Sequence, residues 1–176
     1  MANNCDNYVM FTGEQKDLQT IYDRFNRYRE FDYFTNFSEM VLGLPISEGN
    51  FDGYKYGTKW WEFSILELGE GYLNIQGDTA WSPPLMLISE ITRVFNVKAE
   101  GNYYEGGMDF AGEYTAENGN LEDNEFTCFE YDLKEDRDYA IQRLIEDLQD
   151  GTIEEYDELK HLLTKKEIDE INSCIR

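Results

Sequence analysis

The chain changes its hydrophobic period several times along its length, from two residues to about 3.6 and back, and that order restricts the fold more than any motif does. In "CDNYVMFTG" (5–13), Tyr8 and Met10 fall on one face of a strand while Val9 and Phe11 fall on the other. The period then lengthens: Leu18, Ile21, Tyr22 and Phe25 make one apolar helical stripe over 14–28. Residues 29–57 are aromatic and punctuated by glycine, and they read as a long irregular connection with one helical turn at 36–42. Two strands follow, 58–68 and 72–79, closed into a hairpin by "GEG". A helix over about 83–95 comes next, with Ser82 as its N-cap and Pro83 at its first position. Strands at 97–105 and 108–116 meet at Gly106-Gly107, the polar "ENGNLEDNE" (117–125) reads as a loop, and "EFTCFEYD" (125–132) reads as a last strand.

Strand, helix, strand, strand, helix, strand is the order of the ferredoxin-like split unit. The expected class is therefore α+β: a ferredoxin-like antiparallel sheet extended by two extra strands, filling residues 1–132. Residues 133–176 read as a helical C-terminal extension. Ile141, Leu144, Ile145 and Leu148 stripe its first helix, which ends at Gly151. Capping-box spacings at Thr152/Glu155 and Thr164/Glu167 open two more.

Charge narrows the function. The 176 residues carry a formal net charge of −22. Residues 1–99 hold 14 acids and 8 bases, whereas residues 100–176 hold 23 acids and 7 bases, a net of −16. Nucleic-acid affinity comes largely from Lys and Arg neutralising phosphates, so direct nucleic-acid binding is disfavoured, as is docking on an anionic membrane. No apolar run approaches the ~20 residues of a membrane helix, and the opening residues show no signal-peptide pattern, so a cytoplasmic protein is expected. Cys5, Cys128 and Cys174 are far apart and odd in number, which fits reduced thiols. His161 has no cysteine at ligand spacing, and neither a metal nor a cofactor is expected. Nucleophile elbows, phosphate loops and zinc-protease motifs are missing, so an enzyme is not the expectation.

Two short stretches concentrate the three tryptophans, "YGTKWWEF" (56–63) and "GDTAWSPPLM" (77–86). A hairpin brings their ends side by side. Lys59, Trp60, Asp78, Thr79, Trp81 and Tyr104 then become candidates for a ligand pocket with an aromatic wall and two opposite charges. The structural alternative is a brace, with a Lys59–Asp78 ion pair and a hydrophobic staple between Trp81 and Met86 across the helix start. Glu154, Glu155, Asp157 and Glu158 are the candidate partner-binding acids, read as one exposed helix face.

Several stretches together, "MANNCDN", "YGTKW" at 56–60, "DTAWSPP" at 78–84 and "YYEGGMDFAG" at 103–112, resemble the YubB-like ferredoxin-domain proteins carried by plasmids, prophages and other mobile elements. The resemblance covers about residues 1–116 and implies the ferredoxin-like fold and a mobile-element origin, without an activity. The chain departs from that pattern at Asn4, where the family usually has Trp, and at Trp61, where it usually has an acid. The resulting expectation is a non-enzymatic interaction protein whose acidic surface engages a basic protein, by imitation of nucleic-acid charge in its sharpest form. The alternative is a small-ligand binder or enzyme at the Lys59/Trp60/Asp78/Trp81 corner.

Overall fold

The computed structural model describes residues 3–27, 34–46 and 55–175. The chain forms two compact units, 1–125 and 126–176.

In the first unit, β1 (Asn4–Thr12), β2 (Trp61–Leu68), β3 (Tyr72–Ala80), β4 (Lys98–Glu105), β5 (Phe110–Glu117) and β6 (Asn120–Phe126) form one sheet. Its order is β2-β3-β1-β4-β5-β6. The first four positions are the ferredoxin-like arrangement, with the two strands nearest the middle, β3 and β1, joined in sequence only through long crossings. The pairs β1–β3, β1–β4, β2–β3 and β4–β5 are all antiparallel. The α+β class, the extended antiparallel sheet and the C-terminal helices therefore agree with the sequence pattern.

Three helices supply the apolar layer: α1 (Gln15–Phe25), α2 (Phe34–Leu42) and α3 (Leu85–Phe95). Leu18, Ile21 and Phe25 bury one stripe of α1, and Leu87, Ile88 and Ile91 bury one stripe of α3. They join one core cluster with Val9, Phe11, Leu73, Ile75 and Ala99, which alternate along the strands on a single sheet face. Phe25 meets Phe37 and Trp61 edge-on, at 5.2 and 5.6 Å between ring centroids. The helical turn expected at 36–42 is part of α2, a full nine-residue helix. Of the rest of that irregular connection, residues 29–33 and 47–54 lie outside the described residues.

Two expectations are corrected here. The strand expected at 125–132 is instead the end of β6 followed by a helix, α4 (Cys128–Glu135). Asn118 and Gly119 take φ of 53° and 81°, the left-handed pair of a two-residue hairpin turn, so the polar stretch is itself strand, turn and strand. Thr127 and Glu130 then form a reciprocal capping box that starts α4.

The second unit holds α4, α5 (Arg137–Asp150), a 3-10 segment at Asp157–Leu162 and α6 (Lys165–Cys174). Ile141, Leu144, Ile145, Tyr156 and Ile171 make its core. Gly151 ends α5 at φ +80°, as expected. The Thr164/Glu167 box opens α6, and Glu167 also accepts a bidentate bond from Arg137, 2.7 and 2.9 Å. The Thr152/Glu155 spacing opens no helix: Thr152 instead donates its backbone N–H to Asp150, which closes a turn after α5.

Candidate functional site

The corner between β2 and β3 is held mainly by hydrogen bonds that run inward. Thr58 donates its hydroxyl to the Ala80 carbonyl at 2.8 Å, and Ser82 donates to the Gly57 carbonyl at 2.6 Å. The Trp81 N–H reaches the Asn3 carbonyl at 3.0 Å with φ at +69°, a left-handed conformation rare for a non-glycine residue. Gly57 has φ +100°, and a Cβ there would stand 2.9 Å from the Pro83 carbonyl oxygen. Close approach of 57–58 to 80–83 therefore needs glycine at 57.

These bonds correct two local expectations. Ser82 is not the N-cap; its hydroxyl is committed to Gly57, Pro83 and Pro84 are both buried, and α3 starts at Leu85. The staple loses its frame as well, because α3 starts at Leu85 rather than just after Ser82, and Trp81 and Met86 are 39% and 55% exposed. Trp61 is the tryptophan that carries core weight, fully buried against Phe25 and Phe63.

Strand alternation divides the six candidate pocket residues. Thr79 is fully buried on the helix-covered face, where it accepts from the Asn7 amide at 2.8 Å and lies 2.9 Å from the Ser82 carbonyl it donates to. Asp78 lies one residue earlier and so faces the opposite, open side of the sheet. Across the register Asp78 stands opposite Asp6, Asp6 stands opposite Tyr104, and Glu62 flanks Asp78 from β2. Lys59 is exposed and Trp60 half-buried just before β2 begins. Among the described residues Lys59 makes no ion pair with Asp78, which accepts instead from the Asn4 amide at 3.1 Å. Asp78 and Tyr104 thus share the open face, while Thr79 does not.

Two residues on that face were not singled out from sequence, Asp6 and Glu62; Asn4, a departure from the resembled family's pattern, lies there too. The Asp6 carboxyl is pushed up to about 6, first by its hydrogen bond to Asp78, then by partial burial and by the Asp78 charge. Two carboxyls side by side hold a proton because both cannot be charged cheaply. Further acids extend the row. Residues directly opposite in an antiparallel pair share a face, so the register places Glu67 (β2), Glu100 (β4), Glu113 and Glu117 (β5) on the open side with Glu62, Asp78 and Asp6. The two-residue turn at 118–119 puts Glu122 of β6 there as well, and Glu122 lines a groove of about 400 Å³ with Lys98, Glu100, Thr115 and Glu117. The basic residue among these positions is Lys98, paired to Glu117 at 3.0 Å. On the other face Tyr103 donates to Asp123 at 3.0 Å, and burial together with that carboxylate pushes its phenol well above the usual range.

The tail acids sit differently. Glu154, Glu155, Asp157 and Glu158 are all exposed, but the first two precede the 3-10 segment and so share no helix face with the others. Asp157 is ion-paired to Lys160. His161 is exposed with Nδ1 2.7 Å from the Glu158 carbonyl oxygen. No cluster of metal-ligating side chains occurs among the described residues, and no described helix is long and apolar enough to cross a membrane.

A family model described as the ferredoxin-like domain in Api92-like protein matches residues 48–142. Among solved structures, the protein api92 from Yersinia pseudotuberculosis is similar at 8% identity and a TM-score of 0.41, over 73% of this chain and 99% of that one. No curated protein matches. The chain belongs to the family of Api92-like ferredoxin-like domains.

Proposed function

We propose that this Api92-like family member is a non-enzymatic binding protein whose open sheet face engages a basic protein. One observation carries the reading: Glu62, Glu67, Asp78, Asp6, Glu100, Glu113, Glu117 and Glu122 share the open face with a single base, Lys98, among the described strand positions. In RNA-binding modules of similar architecture the open sheet face carries stacking aromatics and basic residues. Here Tyr8, Tyr72 and Tyr104 alternate onto that face, but carboxylates surround them. Such a field repels phosphates and attracts cationic surfaces. Imitation of nucleic-acid charge, directed at a DNA- or RNA-binding protein, is the sharpest form of this reading. The YubB-like motifs favour a plasmid or prophage setting, and Cys5, Cys128 and Cys174, none of them in a disulfide, fit a cytoplasmic one.

The sheet is favoured over the helical tail as the contact surface. Residues 126–176 hold 15 acids and 7 bases, whereas residues 100–125 hold 8 acids and no base. The test is affinity capture from cytosol at low and high salt, repeated with Glu100, Glu113 and Glu122 each changed to Lys. Salt-sensitive partners that the triple variant loses support the reading. Partners indifferent to both overturn it.

The corner reading is supported less well. Its inward hydrogen bonds account for Thr58, Thr79, Ser82 and Gly57 without a ligand.

A further inference from the structure

β6 ends the strand order, and among the described residues it pairs on one side only, with β5. Which of its backbone groups point outward follows from the ladder. The Ala80 N–H donates to the Trp60 carbonyl at 3.3 Å, so even-numbered residues of β3 bond to β2 and odd-numbered ones to β1, because the bonding side alternates in an antiparallel ladder. Carried across the register of β1, β4 and β5, that alternation leaves Glu113, Thr115 and Glu117 bonding toward β6. The two-residue turn at Asn118-Gly119 sets these opposite Asn124, Glu122 and Asn120, and the residues that flank such a turn are a bonded pair, so turn and sheet agree. The Tyr103 hydroxyl bonded to Asp123 fits the same register. The N–H and C=O groups of Leu121, Asp123 and Glu125 are therefore directed away from the sheet. Glu122, Asp123, Asn124 and Glu125 are exposed in succession, so side chains on both faces of this strand are open.

We infer that the β6 edge takes up an extended polybasic segment of a partner protein as an added β-strand. Sheet edges are commonly blunted by lysine, proline or a covering element. β6 contains neither lysine nor proline, and the charges it carries, Glu122, Asp123 and Glu125, are all of one sign. Those acids repel the same edge of a second copy of this chain but attract a cationic strand, so one feature both prevents self-pairing and selects the partner. They also set the pattern. On the open side an added strand's side chains lie beside Glu122, and on the other side beside Asp123 and Glu125, so lysine or arginine is matched on both faces rather than on one. Main-chain bonds to Leu121, Asp123 and Glu125 give such docking its affinity, and the side chains give it specificity. The inference rests on the proposed basic partner for its charge, and on the β6 edge alone for its geometry.

The test uses the full chain and two synthetic peptides of the sequence Lys-Lys-Thr-Lys-Lys-Thr-Lys. One has an ordinary backbone; the other has every backbone nitrogen methylated, which keeps its charge and removes its main-chain donors. Hydrogen exchange is followed residue by residue. The ordinary peptide is expected to slow exchange at the Leu121, Asp123 and Glu125 amides by about tenfold at saturation, with a much smaller change at Glu122 and Asn124, whose amides already bond to β5. The methylated peptide should leave all five unchanged. Glu125→Lys, at an exposed position on the side away from the acidic row, should weaken binding of the ordinary peptide by about threefold or more. Equal protection by the methylated peptide, protection without the alternation along β6 or mapping elsewhere, or binding indifferent to Glu125→Lys overturns the inference. Should both peptides bind alike and lose their binding with the Glu100/Glu113/Glu122 variant, this inference fails and the proposed function stands. Binding of neither peptide refutes both.

Discussion

The two faces of the central strands receive polar residues of similar size and put them to different uses. On the helix-covered face, Asn7, Thr79 and Thr58 are buried; the Asn7 amide meets Thr79, and both threonine hydroxyls reach backbone carbonyls. On the open face, one residue away along the same strands, Asp6, Asp78 and Glu62 stand abreast with unlike charge nowhere beside them in the register. Buried polar groups that are paired contribute to stability, while like charges held together cost it. The covered face therefore accounts for the fold, and the open face for a binding surface that the fold tolerates.

Substitutions on the covered face should cost most. Trp61→Ala removes a fully buried indole and is expected to lower stability by about 3–5 kcal/mol, whereas Trp81→Ala, at a partly exposed ring whose backbone does the bracing, should cost under about 1 kcal/mol. Urea unfolding of the pair measures the contrast, and equal losses would remove the distinction between the two tryptophans. Next in size is Thr79→Val, which leaves the buried Asn7 amide without that acceptor and should cost about 2 kcal/mol. Asp78→Asn on the neighbouring open position should change stability by less than half as much.

The open face should show its strain through pH. Asp6 is raised in the folded state, so it binds its proton more tightly folded than unfolded. Its contribution is then fully present below the unfolded value, 3.8, and is lost as pH rises through about 6. Asp6→Asn, which keeps a donor toward Asp78, should make the protein more stable at about pH 8 and flatten the stability profile between those two values. Because the side chain is mostly exposed, solvent screening holds the gain to about 1 kcal/mol. Thermal unfolding against pH reads this directly, and a variant that is less stable at every pH would show that the carboxyl pair is not a source of strain. The smallest effect is expected for Lys59→Ala, exposed and unpaired with Asp78, which should leave stability within about 0.5 kcal/mol.

The covered face was the legible one. Alternation within each strand and the helical stripes at Leu18, Ile21 and Phe25 placed the core directly, because burial leaves a period in the sequence. The acidic row left no such trace. Its members come from all six strands at long separations, and only the cross-strand register brings Glu62, Asp78 and Asp6 together. The Asn118-Gly119 turn was hidden by its acidic surroundings, so β6 passed for a loop and Glu122 lost its place on the sheet. At Thr152 a capping-box spacing suggested a helix, but Asp150 competes for the same backbone N–H.

The most direct measurement compares association of a captured basic partner with two charge-reversed variants over about 0.05–0.5 M salt. One changes Glu100, Glu113 and Glu122 to Lys on the open sheet face; the other changes Glu154, Glu155, Asp157 and Glu158 to Lys in the tail. The account predicts a rate that falls steeply with salt for the unaltered chain and the tail variant, and a loss of at least about tenfold for the sheet variant at low salt. A partner whose association ignores salt, or is lost with the tail acids and kept with the sheet variant, would contradict it.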